Sequence, residues 1–100
     1  MTEQNVTVVR IYFTEGKGRL RKLLNWLRDD QQVRGATVFR GIAGFGPSGV
    51  IHEATWTDLS IDLPLIVEFF DEPDKITQII SQLEAQFETG HILCWPAKIR

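Results

Sequence analysis

The feature that most constrains this chain is the order in which β-like and helical hydrophobic patterns alternate along it. Residues 6–13 are rich in β-branched and aromatic side chains and read as a first strand. Glu15-Gly16-Lys17-Gly18 breaks the run. Leu20, Leu23, Leu24 and Leu27 then recur at helical spacing, with Arg19, Arg21, Lys22 and Arg28 away from that stripe, which predicts a helix ending near Gln31. Gly35 punctuates, and residues 36–45 read as a second strand. Residues 63–70 read as a third strand, apolar throughout apart from Glu68. Asp71-Glu72-Pro73-Asp74 is a helix-start signal, with an Asx cap, an acidic first turn and an early proline. Ile76, Ile79, Ile80, Leu83 and Phe87 form the stripe of that second helix, and Thr89-Gly90 supplies the expected C-terminal glycine stop. Residues 92–99 are the fourth strand, marked by Pro96 as an edge or irregular one. The order is β-α-β-β-α-β. Right-handed crossovers then place both helices on one face of a four-stranded antiparallel sheet of order 4-1-3-2. The fold class is α+β, a ferredoxin-like sandwich, and residues 1–100 make one domain.

The second strand runs into Gly41-Ile42-Ala43-Gly44-Phe45-Gly46-Pro47-Ser48-Gly49, with four glycines in nine positions. Such a stretch must turn tightly or let something approach its backbone closely. It matches G-x-G-x-x-G, yet a dinucleotide fold needs a helix opening at the third glycine, and residues 50–56 look extended. A P-loop is absent too, since no glycine is followed by Lys-Ser or Lys-Thr. The connection from Gly46 to Asp62 is long for a compact domain, and long loops are often functional. Arg40, Ser48 and His52 add donors to its backbone amides, and such amides can form an anion-binding concavity. The bland alternative is a hairpin that merely joins two strands.

Charge narrows the function. Eleven basic and 13 acidic residues give a net charge of −2, without the basic surplus that nucleic-acid binding needs. A small anion needs only a few local donors. The single cysteine, Cys94, excludes an internal disulfide and is expected to be a buried apolar residue. The first residues lack an apolar signal core, and no run approaches the roughly 20 apolar residues of a membrane span, so a cytoplasmic protein without membrane insertion is expected. His52, His91 and Cys94 are the soft metal-ligand types; His91 and Cys94, three apart in a strand, point to opposite faces. No paired acid, base and nucleophile stands out, which argues against an enzyme. Trp26, Trp56 and Trp95 are read as packing residues, with Trp56 placed to touch a partner.

With both helices on one face, the other face of the sheet is diagnostic. Taking the charged sets as that face gives Val6, Val8, Arg10 and Tyr12, then Ala36, Val38, Arg40 and Ile42, then Ile66, Glu68 and Phe70. It is mostly apolar, and a face meant for water would alternate more cleanly. A second copy of the chain is therefore expected to cover it. In this arrangement Glu68 falls between Arg10 and Arg40, an Arg–Glu–Arg set at an interface. The charges are read as structural; the alternative is that Arg40, beside the glycine loop, meets a ligand anion.

The run from Gly35-Ala36-Thr37-Val38-Phe39-Arg40 through Gly41-Ile42-Ala43-Gly44-Phe45-Gly46, with His52 six residues on, resembles the signature of an uncharacterised PII-like family. Arg10-Ile11-Tyr12 before Glu15, and Leu59-Ser60 followed by Asp62-Leu63-Pro64, resemble its other recurrent segments. The resemblance covers roughly residues 8–99. It implies a ferredoxin-like protomer in a PII-like homotrimer. It also implies that residues 44–62 stand where PII signalling proteins carry a long partner-binding loop, with nucleotides in clefts between subunits beneath it. Carried over by position, the ligand-binding candidates are Thr37, Arg40, Gly41, Gly44, Phe45 and Gly46, with Lys17 as a further donor; Ser48, His52 and Trp56 belong to the partner loop. PII proteins bear a glycine- and lysine-containing phosphate loop between the second helix and fourth strand. Here that connection is Glu88-Thr89-Gly90-His91, without a lysine. The expectation is a non-enzymatic regulatory trimer that binds a small anionic effector such as an adenine nucleotide, needs no cofactor, and docks on a membrane transporter, channel or enzyme. The rival expectation is a metal-binding trimer resembling the divalent-ion tolerance proteins, using His52, His91 or Cys94.

Overall fold

The computed structural model describes residues 3–14, 18–53 and 64–100. Strand β1 (Gln4–Thr14) is followed by helix α1 (Arg19–Asn25), whose last turn widens into a π-helical segment, Trp26–Asp30. Then come β2 (Gly35–Arg40), the short β3 (Ala43–Gly44) and β4 (His52–Glu53), β5 (Pro64–Asp71), α2 (Pro73–Gln86) and β6 (Ile92–Ile99). Four strands form one antiparallel sheet in the order β2-β5-β1-β6, the arrangement expected from the sequence. Pro96 does lie on an edge strand, since among the described residues β6 pairs with β1 alone.

One face of the sheet carries the core. Val9, Ile11, Leu65, Val67 and Phe69 pack against Leu23, Trp26 and Leu27 from the first helical segment and Ile76, Ile79 and Leu83 from α2. The stripes at helical spacing thus meet a sheet at period two, and the match of the two periods is what folds the chain. The π turn is closed by the Gln31 N–H donating to the Trp26 carbonyl at 2.9 Å. Trp26 is buried there, its ring 5.2 Å from that of Phe87.

Two helix boundaries differ from the sequence reading. Asp71 sits one residue before the N-cap of α2, and its Oδ1 accepts the Glu72 N–H at 2.7 Å. Burial alone would push the Asp71 carboxyl up, but that bond, Lys75 Nζ at 3.0 Å and Arg34 Nε at 3.7 Å outweigh it and hold its pKa below the ordinary value. Gly90 is not the helix stop. α2 ends at Gln86, with Phe87 already extended at φ −127° and ψ 141°. Gly90 instead lies against β1: its N–H donates to the Tyr12 carbonyl at 2.8 Å, while the Tyr12 N–H donates to the His91 carbonyl at 2.9 Å.

The second strand is also shorter than expected. It stops at Arg40, and the chain re-forms as a two-stranded ribbon in which Ala43 pairs with Glu53 and Gly44 with His52. Gly41 and Ile42 make the break between sheet and ribbon.

Candidate functional site

Register settles which side chains share the open face. In an antiparallel pair, directly opposite residues point the same way. Thr37 lies opposite Glu68, and Phe39 opposite Ile66, while Val38 lies opposite the buried Val67 and Arg40 opposite the buried Leu65. The face assigned to the second strand from its charges is therefore inverted. Gly35, Thr37 and Phe39 belong to the open face; Ala36, Val38 and Arg40 share the side of the helices, where Val38 packs on the core. Arg40 misled the assignment because it ends its strand, where a long charged side chain reaches solvent whichever face it starts from. The Arg–Glu–Arg set does not form.

What forms is an Arg10–Glu68 pair backed by Trp95. Arg10 Nε and Nη2 donate to Glu68 Oε1 at 3.2 and 2.8 Å. The Arg10 guanidinium carbon lies 5.4 Å from the centre of the Trp95 ring. Glu68, and after it Tyr12, raise the Arg10 pKa still further, so it stays cationic. Around this pair stand Val8, Tyr12, Ile66 and Phe70, half-buried, and Phe39, Leu93 and Trp95 at 46, 48 and 37 % exposure. Trp95 is thus not the packing residue the sequence suggested, and Phe39 and Leu93 went unnoticed. A strict period-two reading of β2 from Val38 inward would have found Phe39. Cys94 sits opposite the buried Val9, yet it is exposed on its edge strand.

The glycine-rich stretch is a hairpin. The Gly49 N–H donates to the Gly46 carbonyl at 2.9 Å, closing a turn with Pro47 at its second position and Ser48 at its third. Gly49 takes φ +76°, a conformation that L side chains rarely adopt. Ser48 Oγ accepts the Val50 N–H at 3.3 Å. No helix follows within the described residues, consistent with rejecting the dinucleotide motif. The ribbon exposes Ile42, Phe45, Val50 and Ile51, with Ile42 and Phe45 at 79 and 72 %. Of the sequence candidates, Gly41, Gly44, Phe45, Gly46, Ser48 and His52 thus fall in or beside one ribbon. Thr37 and Arg40 lie at its root on opposite faces of β2. Lys17 and Trp56 lie outside the described residues.

A groove of about 490 Å³ runs beside the α2–β6 connection, lined by Glu84, Glu88, Phe87, Thr89, Gly90 and His91 together with Ile92. Among the described residues no lysine lines it, and Glu88 is paired with Arg19 Nη1 at 3.7 Å. Among the described residues no three of His, Cys, Asp and Glu gather as metal ligands. Among those residues, too, no helix is long and apolar enough to cross a membrane.

Comparison with known proteins agrees with this geometry. Residues 6–99 match the model of the DUF190 family, described as Uncharacterized ACR, COG1993. A UPF0166 protein of Aquifex aeolicus is 35% identical over 72 residues, 72% of this chain and 68% of that protein. Among solved structures, CPII, a nitrogen regulatory PII-like protein from Thiomonas intermedia K12 bound to ADP, AMP and bicarbonate, superposes with a TM-score of 0.72 at 14% identity, covering 98% of this chain and 91% of that one. The divalent ion tolerance protein CutA1 from Ehrlichia chaffeensis gives 0.64 at 13% identity, covering 91% and 79%. At these identities the structural matches speak for the fold.

Proposed function

The chain belongs to the DUF190 family, and on that premise we propose that it is a PII-like regulatory protein rather than an enzyme. Its copies assemble through the open sheet face into a homotrimer. A small anionic effector, an adenine nucleotide in the first instance, binds at the clefts between subunits. The residues proposed to meet it are Thr37, Arg40, Gly41, Gly44, Phe45 and Gly46, with Lys17. Residues 44–62, with Ser48, His52 and Trp56, contact the protein partner, which in this reading is a membrane transporter or channel. A cytoplasmic location fits that role.

The observation that carries the reading is the placement of the glycine-rich ribbon. It leaves the sheet at Gly41 and projects the exposed apolar side chains of Ile42, Phe45, Val50 and Ile51 from a glycine-rich backbone. CPII, which shares the fold, was solved with ADP, AMP and bicarbonate, and that supports an anionic effector here. With no lysine in the α2–β6 connection, phosphate recognition in this reading falls to Arg40 and the backbone amides of residues 41–46. Glycine-rich backbone loses much entropy on ordering, so an effector that offsets this loss shifts the loop between states.

Limited proteolysis tests the proposal. ATP, ADP, AMP and cyclic nucleotides are each added, and cleavage within residues 41–62 is followed by mass spectrometry. At least one nucleotide is expected to slow that cleavage several-fold, and Arg40→Ala to abolish the effect. Unchanged cleavage with every nucleotide would overturn the nucleotide-effector reading.

A further inference from the structure

The open sheet face holds one arrangement that its structural role in a single chain leaves incomplete. Both hydrogen bonds from Arg10 to Glu68 end on the same oxygen, Oε1, and among the described residues no donor reaches Oε2. An ionised carboxylate accepts about four hydrogen bonds and a guanidinium donates five. Arg10 and Glu68 are only partly covered, at 35 and 27 % side-chain exposure, so water satisfies what remains in a lone chain. Trp95 shields one side of the guanidinium, and Val8, Tyr12, Ile66 and Phe70 surround the pair. Covering this face with an apolar surface would strip that water away and leave a buried carboxylate oxygen and guanidinium N–H groups without partners, which is strongly unfavourable.

The cover must therefore bring one donor and one acceptor to this spot, inside an otherwise apolar patch. A second copy of the same face brings both. It is neutral at its centre, apolar around it, and carries one cation beside one anion, so it complements itself. We propose that Arg10 and Glu68 form an inter-copy charge ring. Arg10 of one copy donates to Glu68 Oε2 of the next while keeping its bonds to its own Glu68 Oε1, and cyclic symmetry repeats the contact until the ring closes. Trp95 caps the ring from the β6 side and excludes water from it. The pair fixes which rotation of one sheet on another is allowed, because any other rotation buries the charges unpaired. This rests on the homo-oligomer reading above, and names the contact that makes that oligomer specific.

The experiment is sedimentation velocity over a dilution series on the full chain and on Glu68→Gln and Arg10→Gln, each nearly isosteric or shorter and without charge. Melting is followed by circular dichroism on dilute, dissociated protein. Each variant is expected to weaken assembly at least tenfold. Each is also expected to leave the melting of the dissociated chain within about 5 °C, since a half-exposed pair contributes little to one chain. Assembly within threefold of the parent in both variants would overturn the ring, with the oligomer itself intact. Weakened assembly matched by a collapse of monomer melting would overturn it as well, because the pair would then act within one chain. A parent that stays monomeric at every concentration would overturn the homo-oligomer reading and the ring together.

Discussion

Replacing Gly90 by alanine tests the close approach between the α2–β6 connection and β1. A Cβ at Gly90 would lie 2.8 Å from the Tyr12 carbonyl oxygen and 3.5 Å from the Tyr12 carbonyl carbon. Both of these are backbone atoms, held by the pairing of β1 with β5 and β6. Relief needs the strands to part by roughly half an ångström, at the point where two backbone bonds join them. Those bonds, Gly90 N–H to the Tyr12 carbonyl and Tyr12 N–H to the His91 carbonyl, contribute about 1 kcal/mol each. Overpacking of this kind costs about 1–3 kcal/mol, so about 2 kcal/mol is expected. For a domain of this size that lowers Tm by roughly 8–16 °C. Urea and thermal unfolding followed by circular dichroism give both numbers. Gly46→Ala is the control: nothing lies within 4 Å of a Cβ there, and the change should stay within about 0.5 kcal/mol. Gly90→Asn separates this account from a helix-cap role, since asparagine suits a left-handed cap but carries the same Cβ. If Gly90→Ala or Gly90→Asn unfolds within about 0.5 kcal/mol of the parent, the steric argument is wrong.

Leu83, fully buried between the helices and the sheet, is expected to lose about 2–5 kcal/mol on Leu83→Ala, read from the urea midpoint at unchanged slope. Asp71 gives a pH signature. Its folded pKa lies below the unfolded value near 3.9, so its stabilisation is complete above that value and is lost as pH falls through the folded pKa. Asp71→Asn should cost about 1–3 kcal/mol at pH 7 and flatten the acid limb of a stability profile below about pH 4, and an unchanged acid limb would contradict this.

Most of the fold was legible because two periods dominate the sequence. The leucine and isoleucine stripes, the Pro73 start signal and the Pro96 edge marker each correspond to a local physical rule, and each was met. What the sequence hid was non-local. Gly90 looks like a helix stop, but its position is set by Tyr12, nearly 80 residues away in the chain. The open face of β2 was inverted because Arg40 marked the wrong parity, and only the register with β5 corrects it. Phe39 followed from that correction, and the register of β6 with β1 sets the face of Trp95. The glycine-rich run announced a turn, and Pro47, Ser48 and Gly49 do make one. That the turn caps a separate ribbon depends on the chain breaking at Gly41, which composition alone does not specify.

The most direct test of the regulatory reading is native mass spectrometry of the purified protein, alone and with ATP, ADP, AMP and cyclic nucleotides. The account predicts a trimer that takes up one nucleotide per subunit, with uptake lost in Arg40→Ala. A trimer that ignores every nucleotide would contradict the effector assignment, and a monomer would contradict the account at its root, in the covering of the open sheet face.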